Sequence, residues 1–173
     1  NRETGEPVHP IIETAVSTET DREGEQPYPT QPIPHMANGE RMEPGSPVFP
    51  EDIAPEHLEG KRLVPQYTPL AQDIIFAPGM GGGASYAPIA YSPETGLLYV
   101  TAIDRPHNSG RGPRGYFSAY DPTTGELVWR QIFEGYGQSG PVVTAGGVVF
   151  VGAGSNIAGY FYAYDAATGE ELW

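Results

Sequence analysis

Cysteine is absent from this 173-residue chain. Thiolate metal sites, disulfides, covalently attached c-type haem and cysteine nucleophiles are thereby excluded together. Basic residues are also scarce: nine Lys and Arg stand against 22 Asp and Glu, a net charge of −13. Such acidity repels a phosphate backbone, so nucleic acid is not an expected partner. No stretch reaches the roughly 18 to 20 uninterrupted apolar residues a membrane-spanning helix needs. Nor does Asn1 open a charged-then-apolar leader, so the chain reads as soluble. Histidine is sparse, and His9, His35, His57 and His107 include no i, i+4 pair; all four read as solvated loop residues. The glycine run Gly79–Gly83 lacks the Lys-Ser/Thr of a phosphate loop, which excludes a nucleotide site of that kind.

Glycine and proline are abundant instead, and they are unevenly placed. Residues 1–75 hold 12 of the 19 Pro, 5 of the 23 Gly and a net charge of −9, whereas residues 76–173 hold 18 Gly and −4. The second part carries an internal repeat. GYFSAYDPTTGELVW at 115–129 and GYFYAYDAATGEELW at 159–173 agree at ten of fifteen positions, with Asp121 to Asp165 and Trp129 to Trp173 both 44 apart. That period suits propeller blades of four short strands.

Within each copy, Tyr116, Ser118 and Tyr120 alternate with Phe117 and Ala119, the period of a strand. Asp121, Pro122 and Gly125 then supply a turn, and Leu127–Trp129 a returning strand. Upstream, Pro88–Val100 and Gly140–Val151 each read as strand, turn and strand, the inner pair of a blade. The tryptophans are expected to pack blade against blade. These patterns predict an all-β chain: residues 1–9 as the tail of an outer hairpin, 10–84 as a Pro-rich irregular excursion, 85–130 as one blade and 131–173 as another. Prolines 27, 29, 32, 34, 44, 47, 50 and 55 predict extended, polyproline-like backbone in the excursion. At 44 residues per blade the chain falls short of four blades, so it reads as a segment of a larger ring. Residues 104–114, with three arginines, read as a mobile, locally basic loop.

The two Ala-x-Asp-x-x-Thr-Gly-x-x-x-Trp copies, at 119–129 and 163–173, resemble the tryptophan-docking repeats of the eight-bladed quinoprotein dehydrogenases that use pyrroloquinoline quinone (PQQ). Four further segments follow in that family's order: Thr4-Gly5-Glu6-Pro7-Val8, Pro29–Pro34, Pro78-Gly79 with Gly82–Tyr86, and Thr144–Phe150. The resemblance implies an eight-bladed β-propeller and an oxidoreductase that passes two electrons from an alcohol or sugar hydroxyl to PQQ. It implies a bound calcium or lanthanide ion, a periplasmic location and a periplasmic electron acceptor. The rest of the propeller is the remaining partner.

The family's catalytic base and metal ligands lie in earlier blades, and none is assigned in this segment. Its Gly-Gly-x-Asn-Trp segment, which touches the quinone, matches Gly82-Gly83-Ala84-Ser85-Tyr86, so the resemblance implies cofactor contacts from Ser85 and Tyr86. A second family segment brings a Trp beneath the cofactor where this chain has Gln138-Ser139-Gly140, which makes Gln138 a third candidate. The two departures leave open an alternative: a non-catalytic propeller of the same repeats, serving as a periplasmic assembly scaffold like the lipoprotein that helps assemble outer-membrane proteins.

Overall fold

The computed structural model describes residues 1–48, 52–154 and 158–173. Residues 49–51 and 155–157, which fall inside the 10–84 and 131–173 stretches, lie outside it, Pro50 among them. The Pro-rich part is more regular than its composition suggests. Strands β1 (Ile11–Ala15) and β2 (Thr30–Pro34) pair antiparallel. The His35 N–H donates to Pro10 O and the Val16 N–H to Pro29 O. Hydrogen bonds of this ladder therefore fall on the odd residues of β2, and Pro32 and Pro34 occupy positions where no donor is required. After the single-turn helix α1 (Pro55–Leu58), strands β3 (Arg62–Leu63) and β4 (Ile74–Ile75) pair parallel, with both isoleucines of β4 wholly buried.

The first repeat unit is a four-stranded antiparallel sheet of β5 (Ala90–Ser92), β6 (Leu97–Asp104), β7 (Arg114–Tyr120) and β8 (Leu127–Glu134), paired in chain order. The second is β9 (Val142–Val143), β10 (Val148–Gly154) and β11 (Gly159–Asp165), with an isolated bridge of Glu171 to Tyr164 at the place of a fourth strand. The outer hairpins keep the 44-residue spacing, Tyr120 to Tyr164, but Leu98 and its counterpart Val149 stand 51 apart. The hairpin of the second and third strands is thus seven residues longer in the first unit, five of them in its connection.

Strand β7 is buried along Gly115–Ala119 on both faces, not on alternate residues. One face meets the second unit. The other is covered by the Pro-rich stretch: Arg130 donates to Ser118 Oγ (3.0 Å), to Tyr120 Oη (2.9 Å) and to Glu43 (2.8 Å), and lies over the Tyr116 ring.

Each outer turn is held by its aspartate. Asp121 Oδ1 accepts from the Thr123 N–H and hydroxyl, and Asp165 Oδ1 from the Thr168 N–H and hydroxyl. These bonds hold both carboxyls below the usual carboxylate range, chiefly the Thr123 hydroxyl for Asp121 and the Thr168 N–H for Asp165.

The two units share one aromatic core. Tyr99, Phe117, Trp129 and Phe133 of the first pack with Val149, Val151, Tyr164 and Ala166 of the second. Phe117 and Trp129 meet edge to face at 5.3 Å. At its centre the Ala166 carbonyl accepts from both Tyr99 Oη (2.9 Å) and Trp129 Nε1 (3.2 Å). The Trp129 ring lies against Gly169, where a Cβ would come within 2.6 Å of the indole. Trp173, its repeat partner, is 72% exposed and edge-on to Phe161.

Two outcomes follow. Trp129→Ala empties the centre of this core and strips one donor from Ala166 O, so it lowers stability by about 3–5 kcal/mol, measured by urea unfolding of the full-length protein. Burial holds the Tyr99 and Tyr164 hydroxyls above the ordinary tyrosine value. Their contribution is complete below about pH 10 and declines as pH rises further, because the unfolded chain ionises first. Unfolding free energies at pH 9 and 11 therefore differ, and Tyr164→Phe reduces the difference.

Candidate functional site

The inner strands of both units are interrupted at the same point. In the first, Ala90 pairs with Tyr99 while Gly83 bridges Ile103. Four residues separate the partners on β6 and seven on the inner chain, so three extra residues are pushed out of the ladder. In the second, Val142 pairs with Phe150 while Tyr136 bridges Gly154, which displaces two.

Ser85 and Tyr86 fall in the first bulge and Gln138 in the second. Tyr86 is 92% exposed, with φ at +65°, a left-handed conformation that a bulky residue rarely adopts. Ser85 is half-buried and Gln138 exposed. The polar side-chain atoms of all three make no hydrogen bond with another described residue. Ser85, Tyr86 and Gln138 thus present a hydroxyl, a phenol and an amide that are uncommitted.

Both bulges flank the end of β6. Gly83 exchanges hydrogen bonds with Ile103 (3.0 and 3.1 Å), and Thr101 Oγ1 donates to Ser139 O (2.8 Å). Gly140 lies against Pro88, where a Cβ would sit 2.6 Å from the proline ring. The structure therefore brings the two segments side by side. Ser139 is itself structural, donating to Gly152 O and accepting from the Gly152 N–H. Beside the first bulge lies an apolar cavity of about 460 Å³, lined in part by Gly82–Ala84, Leu98, Val100 and Tyr120.

Sequence reasoning missed a buried ionic clamp behind the bulges. Asp104, at the end of β6, is 4% exposed and pairs with Arg111 at 2.5 Å. Arg111 also meets Asp52 at 3.5 Å, and Arg114 pairs with Asp52. Burial first, and then the Asp104 charge, push the Tyr116 hydroxyl up. Residues 104–114 are accordingly pinned rather than loose: Ser109 is buried, Lys61 donates to Asn108 O, and Asn108 donates to Gln72 O. The one sequence signal was an acidic residue closing the apolar run Leu97–Ile103.

The histidines depart from solvated loops too. All are half-buried. His9 Nε2 bonds Pro122 O, His35 Nδ1 bonds Ile33 O, His107 stacks on Phe76, and the His57 ring abuts Gly110. Among the described residues no three His, Cys, Asp or Glu side chains converge to hold a metal, and no helix is long and apolar enough to cross a membrane.

Comparison with known proteins agrees with this architecture. Residues 1–109 match the family model of the glucose/ethanol/alcohol dehydrogenase β-propeller domain (PQQ), and residues 113–173 match that of the outer membrane protein assembly factor BamB. A lanthanide-dependent methanol dehydrogenase of Methylacidiphilum fumariolicum (strain SolV) is 34% identical over 102 residues, 43% of this chain and 16% of that protein. A europium-containing methanol dehydrogenase superposes with a TM-score of 0.50 at 24% identity, over 95% of this chain and 34% of its own. The quinohemoprotein alcohol dehydrogenase of Comamonas testosteroni gives 0.49 at 26% identity, over 57% and 19%. The chain thus spans between about a sixth and a third of the lengths of these relatives.

Asp104→Asn leaves Arg111 buried against a neutral partner and costs roughly 3 kcal/mol. Urea unfolding of the full-length protein measures it, and Arg111→Lys, which keeps the charge but loses the fork, costs less than the asparagine change.

Proposed function

Since the chain belongs to the glucose/ethanol/alcohol dehydrogenase β-propeller family, we propose that it forms the part of a quinoprotein dehydrogenase that holds one edge of PQQ. The whole protein oxidises an alcohol or sugar hydroxyl, in the periplasm, and delivers electrons to a periplasmic acceptor. The observation that carries this reading is the pair of bulges that set Ser85, Tyr86 and Gln138, all uncommitted, ahead of adjacent inner strands.

The group fits these residues. A flat quinone edged by carbonyl and carboxylate oxygens offers mostly acceptors, with a single pyrrole N–H, and so calls for donors and a ring face. The Ser85 hydroxyl, the Tyr86 phenol and the Gln138 amide are donors, and the Tyr86 ring supplies a face. When bound, the quinone supplies two-electron acceptance that no side chain here offers. The chain's own residues then bind and orient. The bulge fixes Tyr86 in one backbone conformation, and the clamped loop behind it keeps the end of β6 rigid. A calcium or lanthanide ion takes its ligands from blades outside this segment, as does the catalytic base. We assign the segment two blades of the ring, 85–130 and 131–173, with 1–9 as the tail of a preceding one.

A second reading is favoured by one observation, the match of residues 113–173 to the assembly-factor model: a scaffold of the same repeats that binds no quinone. Mass spectrometry of an acid extract of the full-length protein separates them. The dehydrogenase reading expects about one equivalent of PQQ, and Tyr86→Ala weakens quinone binding up to about tenfold, the worth of one aromatic contact. Absence of quinone after reconstitution with PQQ and calcium or a lanthanide leaves the scaffold.

A further inference from the structure

Thr4-Gly5-Glu6-Pro7-Val8-His9 aligns with Thr124-Gly125-Glu126-Leu127-Val128-Trp129, sharing Thr, Gly, Glu and Val. His9 therefore stands at the position that Trp129 and Trp173 occupy in the two later copies. The geometry matches the alignment. Trp129 Nε1 donates to the Ala166 carbonyl, the residue after Asp165. His9 Nε2 lies 2.7 Å from the carbonyl of Pro122, the residue after Asp121. Pro122 and Ala166 are the same position of successive turns.

The socket beneath is also filled in kind. Gly125 and Gly169 both take left-handed φ, +83° and +74°, which closes each turn and leaves the space of a Cβ to a neighbour. Over Gly169 that neighbour is the Trp129 indole, 2.6 Å from where a Cβ would be. Over Gly125 it is Met42, also at 2.6 Å, with Met36 at 3.1 Å. Imidazole is smaller than indole: it can take the indole's hydrogen bond but cannot cover the glycine. Two flexible thioether side chains supply the missing contact. The Ala37 N–H, next to Met36, also donates to Thr124 O (3.0 Å) of the same turn.

We infer that His9 is the docking residue of a third repeat, and that His9 with Met36 and Met42 forms a composite joint holding the Asp121–Glu126 turn as Trp129 holds the Asp165–Glu170 turn. The interaction surface it defines is the Pro122–Gly125 rim of the first unit. The partner that fits is the repeat to which residues 4–9 belong. The proposal gives the Pro-rich stretch a task, since the methionines that complete the joint come from it. It is independent of quinone binding.

Hydrogen exchange of the full-length protein, read by mass spectrometry, tests this with an internal control. His9→Ala is expected to raise exchange at least about threefold in peptides covering 121–126 and to leave those covering 165–170 unchanged. Trp129→Ala, which also loosens the shared core, raises exchange most at 165–170. His9→Gln keeps an N–H donor on a smaller change and reads the same turn if the alanine variant does not fold, with a lesser rise confined to 121–126. Unchanged exchange at 121–126 in both His9 variants overturns the inference. So does an equal rise at the two turns, which is general loosening and not the loss of a joint.

Discussion

One backbone carbonyl, that of Ala166, fixes how the two repeat units sit. It lies at the tip of a turn whose other groups are already satisfied by Asp165, and it accepts from both Tyr99 and Trp129 of the neighbouring unit. A buried carbonyl with no donor would be costly, and a buried indole N–H equally so. Each satisfies the other only when the glycine at 169 lets the ring lie flat on the turn. The aromatic cluster around Trp129 then supplies burial without a precise geometry of its own, and the carbonyl supplies the geometry. The shared core is assembled around that contact.

What could be read in the sequence follows the same division. The outer hairpins were legible because Asp, Thr and Gly at fixed offsets are the physical requirements of the turn, and because the copy at 159–173 repeats them. Strands β5 to β11 were legible from alternation between turn residues. The pairing of β1 with β2 was not: Pro32 and Pro34 argue against a strand until the register shows that their positions need no donor. The spacing of the inner strands was also hidden, because repeat matching anchors on the conserved turn and is blind to a seven-residue difference in the hairpin before it.

The candidate site was legible only as residue types. Ser85, Tyr86 and Gln138 are ordinary in composition, and nothing local in sequence marks a bulge. What places them is a mismatch between two registers, Gly83 with Ile103 against Ala90 with Tyr99, and a long-range pairing of that kind has no local signature. The clamp of Asp52, Asp104, Arg111 and Arg114 was hidden for the same reason, since Asp52 comes from a stretch read as irregular. Counting three arginines in residues 104–114 suggested a basic, exposed loop; pairing of two of them with the buried Asp104 and the exposed Asp52 reverses that expectation.

The Pro-rich stretch is best understood through what it covers. A blade with its neighbour on one side only would leave the opposite face of β7 in water, yet Tyr116 and Ser118 are buried there. Met42 on Gly125, Glu43 on Arg130 and Asp52 on Arg114 are contacts that the Pro-rich stretch makes with the first unit. Extended, proline-stiffened backbone suits this work, because it loses little conformational entropy on ordering and delivers a side chain every few ångströms. It also buries apolar residues of its own, Ile33, Ile53, Ile74 and Ile75 among them. Such a segment can reach from the joint at Pro122 to the back of the bulge at Gly83, where Ala84 N–H donates to Pro44 O at 2.8 Å. The same stretch that covers the first unit thereby helps hold Ser85 and Tyr86 where they stand.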